Sequence, residues 1–433
     1  FTLVHKTTLI VVTEFHGILD GQDVIFAGLV DVVDALVAKG HESGGWVGED
    51  TSYILAQKLI GKTSLPLLLR GGVGRHSAAA TAVMGAAGVV LDDQVLLLAE
   101  SPLSDAHQRN VARLNGAETQ LFGEQIEMPC RIFGARGSAE LERIKQASRQ
   151  VEAGQLSQAD WREALNKAMG WGADQLLPIG QGVGVAAMYR DQYRSVGRLV
   201  QALRAQLEAS RNLLAQHNPL AENSPLAASH GTRFPIAQGP MTRVSDSPAF
   251  ADAVASGGAL PFQALALMRG EQVDTLLAET AQVLGDKPWG VGILGFVPQA
   301  LREEQCAAVF RHKPDYALIA GGRPDQAAEF ESRGIPAYLH APAPALLKLY
   351  LEQGARRFVF EGRECGGHIG PIASFPLWEQ MIEVLLAEVS ETQAADVHLF
   401  FAGGINDARS SAMIAALTAP LVERGMKVGV LMG

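Results

Sequence analysis

The sequence predicts an α/β chain: a (β/α)8, or TIM, barrel in the second half, preceded by a partial, degenerate copy of the same barrel and a helical connector. Two observations carry this reading. From Arg233 onward, short apolar β-rich runs alternate with longer amphipathic stretches, the pattern of βα units around a parallel sheet, and eight such runs can be counted. In addition, GHESGG at 40–45 and GRECGGH at 362–368 each follow an apolar run and precede a Gly-Gly strand end, which marks an internal repeat.

Taken in order, Thr8 to Val12 reads as a buried strand. The runs VDALVAKGHESGG, LPLLLRGGVG and AAGVVLDDQ parallel the sixth, seventh and eighth strands of the later barrel. Residues 1–125 are therefore expected to form the degenerate copy, 126–231 a helical connector and loop, and 232–433 the complete barrel. Within the connector, Gly137 to Ala168 and Val196 to Gln216 are charged and periodic at helical spacing, so surface helices are expected there. His217 to Gly231 is polar and contains proline, and reads as a connecting loop and the domain boundary. The eight barrel strands are FPIAQ, ALPFQAL, WGVGILG, YALIAGG, IPAYLH, RRFVFEG, VHLFFAGG and KVGVLMG. Helices are expected between them at Pro248 to Ser256, Glu271 to Leu284, Gln299 to Phe310, Pro324 to Ser332, Ala343 to Gln353 and Pro376 to Val389.

Composition narrows the function classes. The chain has 433 residues, 48% of them hydrophobic, enough for more than one core. Its net charge of -10, with basic residues scattered, argues against a nucleic-acid partner. Cys130, Cys306 and Cys365 form no CxxC pair, so neither a disulfide framework nor a metal site is predicted, and a reducing, cytoplasmic setting fits. The apolar start, FTLVHKTTLIVV, is too short to span a membrane. A first residue that is Phe and an end on a barrel strand, VGVLMG, suggest a piece of a larger polypeptide.

In a parallel barrel the chemistry sits where strands end, because the following loops turn backbone N–H groups and side chains towards one mouth. The first strand ends in QGPM, Gln238 to Met241, where Gly239 and Pro240 allow either an ordinary turn or close approach to a flat ring system. The sixth ends in EGRECGGHIGP, where Gly366 and Gly367 leave room for a ligand and His368 titrates near neutral pH. Glu364 either orients that loop or is a solvated carboxylate. Cys365 reads either as a nucleophile or as a small residue before two glycines. Ala402, Gly403 and Gly404 after strand seven, with Gly433 after strand eight, suit a phosphate held by backbone N–H groups and a helix N-terminus.

The set QGPM, GRECGGH and AGGI, in that order, resembles the nitronate monooxygenases (2-nitropropane dioxygenases) and the related FMN-dependent enoyl-ACP reductases, well over 232–433 and more faintly over 30–125. The tandem arrangement resembles large polyketide-synthase-like and polyunsaturated-fatty-acid-synthase-like proteins. The resemblance implies FMN across the barrel mouth and His368 as acid/base residue. Gln238, Gly239, Pro240 and Met241 would line the flavin, with Gly366, Gly367, Gly403 and Gly404 at its edge or phosphate. Gly292, Gly321 and Gly322 are further candidates for flavin approach. Gly290 and Gly292 stand where the family commonly places an asparagine. In the first copy Trp46 replaces the histidine, and Asp92 and Asp93 stand where a phosphate would be held, so that copy is expected to be silent. Two chemistries follow: nitronate oxidation, or NAD(P)H-driven reduction of an enoyl thioester. The substrate is a small molecule or an acyl group on a carrier, with neighbouring synthase domains as partners; Met268, Arg269 and Arg363 are candidates for its entrance. A non-catalytic scaffold is the third reading.

Overall fold

The computed structural model describes residues 9–12, 33–367 and 369–433. The chain divides into two compact units, Phe1–Glu208 and Ala209–Gly433. The division falls within the helix Val196–Gln216, upstream of the boundary that the sequence suggests at 217–231.

The first unit holds β1 (Leu9–Val12), β2 (Ala35–Lys39), β3 (Gly45–Trp46), β4 (Leu67–Arg70), β5 (Gly88–Val90), β6 (Gln120–Phe122) and β7 (Cys130–Ile132). Four of these form a parallel sheet in the order β1-β2-β4-β5, and β3, β7 and β6 pair antiparallel. Of the run expected at Thr8 to Val12, Leu9–Val12 is a strand, while Thr8 and the side chains of the strand lie outside the described residues. Residues 126–208 are not a free-standing connector. The helices Ala139–Glu152 and Gln158–Ala168 bury Leu141, Ile144, Trp161 and Leu165 in one core with Cys130 and Ile132 of β7. The stretch 137–168, where helices are expected, divides in two, and the Ser157 hydroxyl caps the second helix by accepting from the Asp160 N–H at 3.1 Å.

The second unit contains β8 (Ile236–Gln238), β9 (Phe262–Ala264), β10 (Gly290–Leu294), β11 (Tyr316–Ala320), β12 (Ala337–His340), β13 (Arg357–Glu361), β14 (His398–Ala402) and β15 (Lys427–Met432). They form one parallel sheet, β8-β15-β14-β13-β12-β11-β10-β9, and a bridge between Ala237 and Leu260 joins its two ends into a barrel. The six expected helices are present as Pro248–Ser256, Gly270–Leu284, Gln299–His312, Pro324–Glu331, Pro344–Glu352 and Ser374–Glu388. Two more, Ala408–Leu417 and Ala419–Glu423, follow β14, where small residues blur the amphipathic pattern.

The stretch 217–231 is not all loop. Pro225 at the first turn and Gly231 at φ +70° delimit the helix Pro225–His230. It buries Leu226 and His230 at the N-terminal end of the barrel. The His230 ring stacks on Phe400, its Nε2 lies 2.7 Å from the Tyr338 hydroxyl, and the Tyr316 hydroxyl donates to the Ser229 carbonyl. With that end packed, the C-terminal strand ends are left to form a site. Among the described residues no helix is long and apolar enough to cross a membrane.

Candidate functional site

A cavity of about 590 Å³ opens at the C-terminal ends of the barrel strands, within the usual size range of small-molecule sites. Of the residues singled out from sequence, Gly239, Pro240, Met241, Gly292, Glu364, Gly366, Gly367, Gly403, Gly404 and Gly433 line it. His368 lies outside the described residues. Five others are placed elsewhere. Gln238 is buried; its carboxamide oxygen accepts from the Phe262 N–H at 3.1 Å and its amide donates to the Gly239 carbonyl, so it staples the β8–β9 closure. Ala402 is part of the barrel core. Gly321 and Gly322 line a smaller cavity of about 270 Å³ next to the first. Arg269, a candidate for the entrance, is exposed and pairs with Glu304.

The glycines of the mouth have distinct causes. A Cβ at Gly292 would overlap Pro240, which explains why this strand carries no side chain where an asparagine is expected. Gly403 has φ +117°, and a Cβ there would lie 2.9 Å from the Ser374 hydroxyl. At Gly366 and Gly367 a Cβ would meet nothing within 4 Å, so these two leave open space for a ligand.

Glu364 is a loop-orienting group. Its Oε2 accepts from the Ser374 N–H at 2.8 Å and from the Ser374 hydroxyl at 2.6 Å, which ties the loop after β13 to the start of the helix Ser374–Glu388. Cys365 also faces the cavity, but burial, with Glu361 and Glu364 nearby, pushes its thiol upward, opposing a thiolate nucleophile. The helix N-terminus expected to hold a phosphate after strand seven is already capped: Asp407 Oδ1 accepts from the Ser410 N–H at 2.8 Å. An anion there would depend on the Gly403–Gly404 backbone and on the end of β15.

Two titratable cavity residues were missed from sequence. His340 ends β12, Glu361 ends β13, and His340 Nδ1 lies 3.1 Å from Glu361 Oε2. Burial pushes the Glu361 carboxyl up to about 7. The available signal was positional: each is a titratable residue at the end of a barrel strand.

The first unit repeats this site in detail. The Glu42 carboxylate accepts from the Ser52 N–H at 3.1 Å and from the Ser52 hydroxyl, as Glu364 does from Ser374. Gly71, at φ +121°, abuts the Ser43 hydroxyl as Gly403 abuts Ser374 and Cys365. The space above is filled by the chain itself. Gln181 donates its N–H to the Glu42 carbonyl and Gly180 donates to Asp93, both at 2.8 Å, while Pro178 covers Gly44. Asp92 pairs with Arg70 at 2.7 Å. The two aspartates therefore hold this packing together, in place of the bare charges that the sequence suggests. Trp46, at the position of His368, donates its indole N–H to Asn166 at 2.9 Å.

A parallel eight-stranded barrel with a glycine-lined C-terminal mouth, and a second, filled copy of that mouth, define the architecture. Residues 5–205 match the nitronate monooxygenase family model, so the chain carries that family's pattern across slightly less than half its length. The match falls on the first unit, where the sequence shows the fainter likeness. A curated relative, (3aS,4S,5R,7aS)-5-hydroxy-7a-methyl-1-oxo-octahydro-1H-indene-4-carboxyl-CoA dehydrogenase of Rhodococcus jostii (strain RHA1), is 27% identical over 204 residues, 46% of this chain and 52% of the relative. The chain thus spans about half the length of that relative. FabK from Thermotoga maritima aligns with a TM-score of 0.40 at 25% identity, covering 48% of this chain and 60% of that one. Nitroalkane oxidase from Streptomyces ansochromogenes gives 0.39 at 18% identity, covering 48% and 67%.

Proposed function

We propose that the second unit is an FMN-dependent oxidoreductase of the nitronate monooxygenase type, and that the first unit is a silent copy. The observation that carries this is the shared Glu-Ser tie. It links the unit that matches the family model to the unit whose mouth is open. The cavity fits the cofactor, because Gly366 and Gly367 leave space that side chains would fill and Gly292 lets Pro240 pack flat against the strand. Met241, Gly239 and Pro240 would contact the ring, with Gly403, Gly404 and Gly433 near the phosphate. When bound, FMN supplies the two-electron redox chemistry. In the oxidative reaction the chain's part is to orient the substrate and remove its α proton, the role assigned to His368 from its place behind Gly366 and Gly367.

The substrate is a small molecule with an acidic α C–H, or an acyl group on a carrier presented by a neighbouring synthase domain. Reduction of an enoyl thioester with NAD(P)H is the second reading. It is supported by Glu361, which burial keeps substantially protonated near neutral pH, as a proton donor must be. An absorption spectrum of the full chain with FMN, followed by anaerobic NADPH and then a nitronate, tests both. Flavin bleached by NADPH supports reduction, and bleaching by nitronate alone supports oxidation. A protein that refuses FMN overturns the oxidoreductase reading and leaves a scaffold.

A further inference from the structure

His340 and Glu361 end neighbouring strands, and the register that sets His340 beside Val359 brings their side chains together. Both are largely enclosed, at 13% and 12% exposure, and both line the large cavity and the small one, so the pair is part of the wall between them. Cys365 and Glu364 face them from the large cavity, Arg323 and Tyr350 from the small one. Glu364 is committed to Ser374, Arg323 is paired with Asp325, and the Tyr350 hydroxyl donates to the Gly322 carbonyl. The cavity wall therefore presents one carboxyl-imidazole contact that borders both the large cavity and the small one, which Arg323, an exposed residue, also lines.

We propose that His340 and Glu361 form a second acid–base pair of the barrel, which donates a shared proton to the α-carbon of an unsaturated thioester; this rests on the oxidoreductase reading above and favours its reductive form. With FMN bound, hydride would be supplied to the β-carbon; the π component of the C=C bond would be lost, and the N–H or O–H bond holding the shared proton would break. A C–H bond forms at the α-carbon, and the electron pair of the broken bond stays on the pair. The substrate gains two electrons and one proton equivalent as hydride, and one proton from the protein. Water reloads the pair through the smaller cavity. Since burial pushes Glu361 up to about 7, the loaded form is present below that pH and lost above it.

The test uses the full chain and the variants Glu361→Gln and His340→Gln. Infrared spectra taken without flavin or substrate should show a carboxylic acid band that titrates near pH 7 and is missing from E361Q. With FMN, NADPH and crotonyl-CoA, native kcat/KM should fall above about pH 7. Each variant should lose roughly 100-fold at about pH 6, in the range expected of an acid–base group, with the fall abolished in E361Q and FMN affinity changed less than about threefold. No carboxyl band titrating between about pH 6 and 8, or a native pH profile in both variants, overturns the pair. Failure of the native chain to bind FMN overturns the oxidoreductase reading itself, and the donor role with it. The infrared titration then still reports separately whether the pair holds a proton.

Discussion

Gly403 shows how one missing Cβ shapes the mouth. At φ +117° the backbone lies where side chains are rarely tolerated, and an added Cβ would also sit 3.4 Å from Cys365 Sγ. Gly403→Ala is therefore expected to cost roughly 2 kcal/mol and to displace the β14 loop. Flavin affinity should fall about tenfold, which corresponds to 1.4 kcal/mol. Urea unfolding and flavin fluorescence titration measure the two effects, and unchanged affinity would show that this loop does not cradle the cofactor. The glycines of this mouth were legible in sequence because each lies in a short motif. His340 and Glu361 were not, since their meeting depends on β12–β13 register with a helix between them. Gln238 also lies inside a motif, and its carboxamide turns to the β9 backbone.

At the scale of elements, the repeated tie between a glutamate in the loop after a strand and a helix-start serine was half visible. GHESGG and GRECGGH announced the strand ends, but nothing local showed that residues 177–183 would cover the first mouth. That segment is specified by long-range contacts: Gly180 to Asp93, Gln181 to Glu42 and Gly182 against Gln94. A Cβ on Gly180 would overlap the Glu42 carbonyl. Gly180→Ala should accordingly destabilise this cover by about 1–3 kcal/mol, the usual cost of overpacking. Hydrogen exchange would show it as faster exchange at the Gly180 and Gln181 amides. If both keep native protection, the segment is not held by this packing. The eight barrel strands were legible for a simpler reason: each is a compact apolar run bounded by glycine or proline, so period and punctuation agree.

For the whole molecule, acid stability follows from how the second unit closes its lower end. His230 and His398 have ring centroids 6.1 Å apart, and both are pushed down to about 3. Burial is the main cause in each case, followed by Arg357 and Lys427 for His230 and by Lys427 and Arg357 for His398. Both rings are therefore neutral in the folded barrel at pH 5, whereas in the unfolded chain they are mostly protonated below about 6.5. The unfolded state binds more protons across that window, so stability is full above about 6.5 and declines as pH falls towards 3. Two buried rings carry a slope of up to about two protons, on the order of several kcal/mol in total. Hydrogen-exchange protection of β12 and β14 should drop steeply between about pH 6 and 4. His230→Gln, which can still bond the Tyr338 hydroxyl, should flatten the drop while lowering stability at neutral pH. An equally steep drop in that variant would assign the acid sensitivity to other groups and leave the buried histidines as passive packing.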